Sequence, residues 1–419
     1  MMSNAARYRL ARLEPWLILA LAPCFLFPGA WTPWAVLALP AVWLGRWALA
    51  GRVSVRPTAA NWPLLLLCLT VFPALRAATD LAAARQTLLY LLLGVALCWS
   101  LMQRRPGRIE SVLWSAALLG MALLLAFLLP LAMPLLPAGL ATLGDFAASL
   151  PPMVQEAVNP NVLAGGPAML APLALALLVG RLPTGSKVAQ AESAAGMGTT
   201  LVSVGLRLLA LLVLLVSLAA MVVTFSRGAL LAALGGATLL AVLDWSITRR
   251  WWLPALLPIA VGLGLFAGPS IARALPPPDP GETLTLAGRL PIWGAATRMV
   301  TRAPVAGVGL GNFQLVMARD EPGVVPLAPE GANHAHNLGL QVAADLGLVG
   351  LAAFLALYGL SMRAAYRAWR NNGGALAIGL LGGLTAAALH GLVDAVQWGT
   401  KPAFLLWLFV GLALSLESE

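Results

Sequence analysis

Charge is what this sequence lacks most. Only 10% of its 419 residues are Asp, Glu, Lys or Arg, whereas 60% are apolar. A soluble fold needs far more charge to cover its surface, so the composition excludes an ordinary soluble domain. Cysteine is nearly absent. Cys24, Cys68 and Cys98 lie far apart in or beside apolar runs, with no CxxC pair and no histidine at metal spacing. They read as small buried apolar residues rather than as a disulfide framework or a thiolate site. The acids include no DxD pair, and only three histidines occur: His334, His336 and His390.

What is there is apolar sequence in runs long enough to cross about 30 Å of hydrocarbon. The runs predict an all-α, polytopic integral membrane protein of about twelve spans: 14–29, 31–50, 61–76, 86–102, 111–133, 162–180, 206–224, 228–245, 251–268, 338–361, 375–394 and 401–416. The arginine-rich start (Arg7, Arg9, Arg12) resembles a signal peptide. Its apolar run meets Pro28 and Trp31 without an A-x-A site, so it reads as a retained first helix. Alternate loops collect 17 of the 26 Lys and Arg residues on one face, which the positive-inside rule makes cytoplasmic, together with both termini. The net charge of +10 is thereby explained by membrane flanks and not by a nucleic-acid footprint. The nine external basic residues are Arg76, Arg85, Arg227, Arg273, Arg289, Arg298, Arg302, Arg319 and Lys401. The expected organisation is spans over 1–268, an external loop over 269–337, and spans over 338–419.

A loop as long as 269–337 in a compact membrane protein is usually functional. Residues 284–302 carry Ile292, Ala296, Met299 and Val300 on one helical side, which predicts an amphipathic helix lying on the membrane surface. Gly307, Gly309 and Gly311 alternate, but no strand precedes them and no GK[ST] follows. A tight backbone turn is expected there in preference to a nucleotide site. The loop ends in Asn333-His334-Ala335-His336-Asn337, directly before an apolar run. This histidine pair offers a proton acceptor near neutral pH, or else interfacial packing. Zinc would need a third ligand such as His390 or Asp394, and an i, i+2 pair is not a helical ligand pair. Arg227, in a nearly loop-free and buried-looking hairpin, is costly without a partner or ligand. It forms a structural ion pair with Asp394, or the two are interfacial anchors, or it serves a substrate.

A base, several arginines and few external acids suit transfer from an anionic leaving group. Guanidinium forks match phosphate oxygens and take the part that Mg²⁺ plays in many phosphoryl and glycosyl transfers.

The residues Asn159-Pro160-Asn161, Ser226-Arg227-Gly228-Ala229, Gly288-Arg289 with Trp293, the run from Gly307 to Phe313, His336-Asn337 with Leu346-Gly347-Leu348-Val349-Gly350, and Asp394 follow one another in order. In that order the chain resembles the O-antigen ligase family and its relatives, the O-antigen polymerases and protein O-oligosaccharyltransferases. The resemblance implies ligation of O-antigen from undecaprenyl diphosphate onto lipid A–core oligosaccharide, at the periplasmic face of a bacterial inner membrane. It implies no metal, cofactor or nucleic-acid partner. By similarity His336 is the general base, Arg227 and Arg289 hold the diphosphate, and Asp394 joins them. His334, Asn337, Arg298, Arg302, Asn159 and Asn161 are the expected substrate contacts. The shared histidine and arginines leave polymerase and protein glycosylation open, although the latter enzymes usually carry a soluble region after the last span. A lipid-linked sugar transporter would instead need polar residues at mid-membrane depth.

Overall fold

The computed structural model describes residues 13–50, 55–104, 106–127, 160–182, 193–224, 226–244, 286–324, 333–372 and 374–417. These form α1 (Leu13–Leu26), α2 (Thr32–Ala50), α3 (Asn61–Ala77), α4 (Leu81–Met102), α5 (Arg108–Phe127), α6 (Pro160–Val179), α7 (Ser193–Val223) and α8 (Arg227–Leu243). The chain continues through α9 (Leu286–Arg302), α10 (Phe313–Asp320), α11 (Leu338–Asn372), α12 (Ala375–Gly391) and α13 (Phe404–Ser415). Among the described residues the fold is all-helical, with one isolated bridge between Arg181 and Gly374. Four helical stretches, in α4, α6, α7 and α11, are both long and apolar enough to cross a membrane, and shorter apolar helices accompany them. The ninth expected span, 251–268, lies outside the described residues.

Helix α6 is the hub of the bundle. It is buried almost throughout and packs against α5, α7, α8 and α12. Helix α4 lies against α13, and α3 against α11. The outer faces remain apolar: Leu65, Leu69 and Phe72 on α3 and Leu201, Leu208, Leu212 and Leu215 on α7 are exposed. Lipid accommodates such a surface and water does not.

Two expected elements differ in the structure. The apolar side of α9 does not lie on lipid. Ile292, Ala295, Ala296, Met299 and Val300 are buried against Phe313, Val316 and Met317 of α10, and against Ala335, Ala343 and Ala344. A protein face was available to cover the stripe, and periodicity alone does not say which apolar surface covers it. The tenth span is also not one straight helix over 338–361. Gly347, with φ 75° and ψ −179°, breaks α11 near its start, and the second piece runs on to Asn372.

The break and the glycine turn explain each other. Gly307, Gly309 and Gly311 all have positive φ, as does Gly347, which confirms a tight turn in this stretch. At Gly307 the Val308 N–H is led to the Ala344 carbonyl, at 2.7 Å. Beyond the kink, the Leu348 N–H reaches the Pro304 carbonyl, also at 2.7 Å. A Cβ on Gly347 would sit 2.2 Å from the Val305 carbonyl oxygen. Asn312 ties the same turn to the α3–α4 connection, its Oδ1 accepting from the Thr79 and Asp80 amides at 2.9 and 2.7 Å.

Left-handed backbone plus a steric clash makes Gly347→Ala cost about 2 kcal/mol or more. Its thermal midpoint in detergent should fall clearly below wild type. Gly359→Ala, in the same helix with nothing within 4 Å of the added Cβ, should stay at or above it.

Candidate functional site

Three segments meet beyond the ends of the bundle helices: the start of α9, the turn before α11, and the turn after α12. The last carries Asp394, which is 1% exposed. Helix α12 stops at Gly391, three residues earlier than its expected span, and the Val393 and Asp394 amides both return to the His390 carbonyl in the turn that follows. That turn frees the carboxylate from the helix surface and directs it at the other two segments. Asp394 Oδ1 accepts from the Ala395 amide at 2.8 Å and lies 3.5 Å from His336 Nδ1 and 3.8 Å from His334 Nε2. Asp394 Oδ2 lies 3.6 Å from Arg289 Nη2.

Each neighbour is held in turn. Asn337 caps α11, accepting from the Leu340 amide at 3.0 Å, and its Nδ2 donates to the Leu392 carbonyl, also at 3.0 Å. This crosslinks the histidine turn to the Asp394 turn. His336 is the one described non-glycine residue with positive φ, at 46°. Strained backbone of this kind recurs at functional sites, where the surroundings over-determine it. Here the Trp293 Nε1–H donates to the His336 carbonyl at 3.1 Å, and the His336 amide donates to His334 Nδ1 at 3.2 Å. Trp293 stands one turn after Arg289, so α9 delivers both the guanidinium and this anchor.

The electrostatics follow from burial. His334 is held down to about 4 by desolvation first, then by His336 and Arg289, with Asp394 opposing. It is neutral at pH 7, with Nδ1 as an acceptor and the proton on Nε2, facing the carboxylate. Desolvation pushes the Asp394 carboxyl up, but the His336 bond and the charges of the three surrounding histidines together hold it well below the usual carboxylate range. Arg289 is mostly buried, and its Nε has no hydrogen-bond partner among the described residues. Removing either member of a buried pair of this kind costs about 3–5 kcal/mol.

The sequence named His390 or Asp394 as the third ligand that zinc would need beside the histidine pair, and the fold brings Asp394 to that pair. Single ligand atoms of His334, His336 and Asp394 all fall within 4.8 Å of one another. Two imidazoles and a carboxylate suit a divalent transition metal. Arg289, already bound to that carboxylate, competes with any cation for its charge.

The other expected site residues divide. The start of α8 reaches the site, since a Cβ on Gly228 would lie 3.4 Å from the His390 ring and 3.1 Å from Val393. The Arg227 side chain is exposed and has no ion-pair partner among the described residues. It is therefore neither buried nor paired with Asp394, whose partner is Arg289. Asn161 is half-buried in the first turn of α6, and Asn159 lies outside the described residues. Arg298 and Arg302 stand nine and thirteen residues beyond Arg289, about 14 and 20 Å along the helix. Both are exposed and engage Glu321, Arg298 through two bonds of 3.0 and 2.5 Å that hold the Glu321 carboxyl below its ordinary range. Arg302, with Arg319, Asp320 and Thr79, also helps to line a separate cleft of about 230 Å³.

Residues 210–355 match a family model described as O-antigen ligase. These residues carry the O-antigen ligase family domain. The domain runs from α7 into α11 and includes Arg227, Arg289, His334 and His336, while Asp394 joins from outside it. No curated protein matches the chain. The O-antigen ligase domain supports a ligase- or polymerase-type function, and members of its family are glycosyltransferase-like enzymes of O-antigen processing.

The depressed His334 predicts a specific acid response. Its folded pKa of about 4 lies below the ordinary 6.5, so between these values the unfolded chain holds the extra proton. Stability from this group is complete above pH 6.5 and is lost as pH falls toward 4. Thermal midpoints should show that slope in wild type and a flatter one in His334→Asn. An unchanged slope would assign the acid response elsewhere, for Asp394 acts lower, below its ordinary 3.8.

Proposed function

We propose that the protein is an O-antigen ligase. In this reading it is an inverting glycosyltransferase that moves O-antigen polysaccharide from undecaprenyl diphosphate to a sugar hydroxyl of lipid A–core oligosaccharide. Residues 1–268 and 338–419 supply the membrane spans of a multi-pass inner-membrane protein with cytoplasmic termini. The loop 269–337 brings the reacting groups to the periplasmic face. The observation that carries the reading is the shared Asp394 carboxylate, with His336 on one oxygen and Arg289 on the other.

His336 directs Nδ1 at Asp394, which fixes that nitrogen as the protonated one and leaves Nε2 as the base. The 3.5 Å separation is long, and such contacts tighten when substrate closes the site. The acceptor hydroxyl attacks the anomeric carbon as its proton passes to His336 Nε2. The bond from that carbon to the diphosphate oxygen breaks, and its electron pair leaves with undecaprenyl diphosphate. Attack from the opposite face inverts the anomeric configuration. Arg289 and the exposed Arg227 meet the charge that develops on the leaving diphosphate. Asp394 stabilises the imidazolium and orients Arg289, and thereby couples acceptor and donor sites.

The test is transfer by purified protein given lipid-linked O-antigen and lipid A–core. His336→Ala should abolish product, and wild-type turnover should survive EDTA. Arg289→Lys, which keeps the charge but loses the fork, should lower kcat/KM by about tenfold to a hundredfold. Full activity of His336→Ala would sink the mechanism. Loss of activity in EDTA, restored by a divalent metal, would transfer the role to the His334–His336–Asp394 cluster. Extension of a second lipid-linked chain in place of lipid A–core would make the protein a polymerase. Lipid translocation without product would make it a transporter.

A further inference from the structure

Helix α11 carries a carboxylate where its sequence is otherwise apolar. Asp345 is 1% exposed and receives donors from three separate elements. The Gly311 amide of the glycine turn reaches Oδ1 at 3.2 Å, and Gln341 Nε2, one turn earlier in the helix, reaches the same oxygen at 3.2 Å. Trp398 Nε1, from the connection between α12 and α13, donates to Oδ2 at 2.8 Å. Gln341 is itself buried, and its Oε1 accepts from the Ala335 amide at 2.8 Å. Ala335 is the residue immediately before His336.

The direction of each bond matters. A carboxylate only accepts, so Asp345 demands the NH₂ end of Gln341. That leaves the carbonyl end facing Ala335, where it meets a donor. Were the amide reversed, two N–H groups would oppose each other at Ala335 and an oxygen would face the carboxylate. Asp345 therefore dictates which way Gln341 points, and Gln341 fixes the peptide leading into Ala335, one residue before His336. From the other side, Trp293 fixes the peptide leaving His336, through its carbonyl. Between these two anchors His336 adopts its left-handed backbone.

We propose that Asp345 and Gln341 are positioning residues that hold the His336 imidazole in its working direction, with Trp398 and Gly311 locking Asp345. The role in turnover rests on the glycosyl-transfer reading above. The role in ordering the turn does not. Neither residue touches substrate; both act through the backbone of residues 335 and 336.

Full-length protein in lipid nanodiscs provides the test, as wild type, Asp345→Asn, Gln341→Leu and the double variant. Asparagine keeps the volume of Asp345 but no longer forces the direction of Gln341. Asp345→Asn and Gln341→Leu should each lower kcat by about tenfold to a hundredfold, with the KM for lipid-linked donor nearly unchanged. The double variant should be no slower than the slower single one, because the residues act as one chain. In hydrogen exchange, the amides of 335 and 336 should open about tenfold faster, while α6 and α12 keep wild-type protection. Trp398→Phe, which deletes one donor to Asp345, gives a milder version of both effects. The proposal is overturned if exchange at 335–336 is unchanged, if protection falls throughout the bundle, or if KM rises while kcat holds. If wild type transfers no sugar, the glycosyl reading fails, and the exchange result alone then judges the lock.

Discussion

One buried anion organises the turns beyond the ends of α9, α11 and α12. Asp394 has almost no access to solvent, so its charge persists only through what surrounds it. Three chain segments are drawn in to do that: α9 through Arg289, the turn before α11 through both histidines, and its own turn through the Ala395 amide. Two of these segments lie within the O-antigen ligase domain, and the third comes from beyond it.

Compensating one carboxylate with several cationic or neutral donors also separates the roles of the two histidines. His334 is pressed into the neutral form, and its Nδ1 is occupied by the His336 amide. It is a scaffold for its neighbour. His336 keeps its ring over His334, with centroids 4.0 Å apart, and turns one nitrogen to the carboxylate. The same logic divides the arginines. Arg289 is paired with Asp394, whereas Arg227, exposed at the start of α8, carries charge that is not spent on that carboxylate.

The helical membrane character was readable from composition, because scarce charge and repeated apolar runs leave few alternatives. His336, Arg289 and Asp394 were readable from motifs, but their arrangement was not. Sequence left open whether Asp394 pairs with Arg227, anchors at the interface or joins the site, while the fold ends α12 at Gly391 and sets the acid beside Arg289. The stripe on α9 was legible, yet its partner was not, since lipid and protein present the same apolar chemistry to a periodicity. Gln341, Trp398 and Asp345 went unread as site residues. Asp345 left a signal all the same: a lone acid within a membrane run rarely stands there without partners. Gln397, which approaches His390 at 3.3 Å, gave no comparable sign.

The break at Gly347 has a consequence for how such sequences can diverge. Nine residues separate Asn337, which caps the helix, from the glycine that ends its first piece. One end of that piece is pinned to the turn after α12, and the other to the glycine turn before α10. Adding one residue would rotate everything beyond it by about 100° and lengthen it by about 1.5 Å. Gln341 and Asp345 could not then both meet their partners. The segment behaves as a gauge block set between two fixed jaws: its letters can drift, but its length cannot.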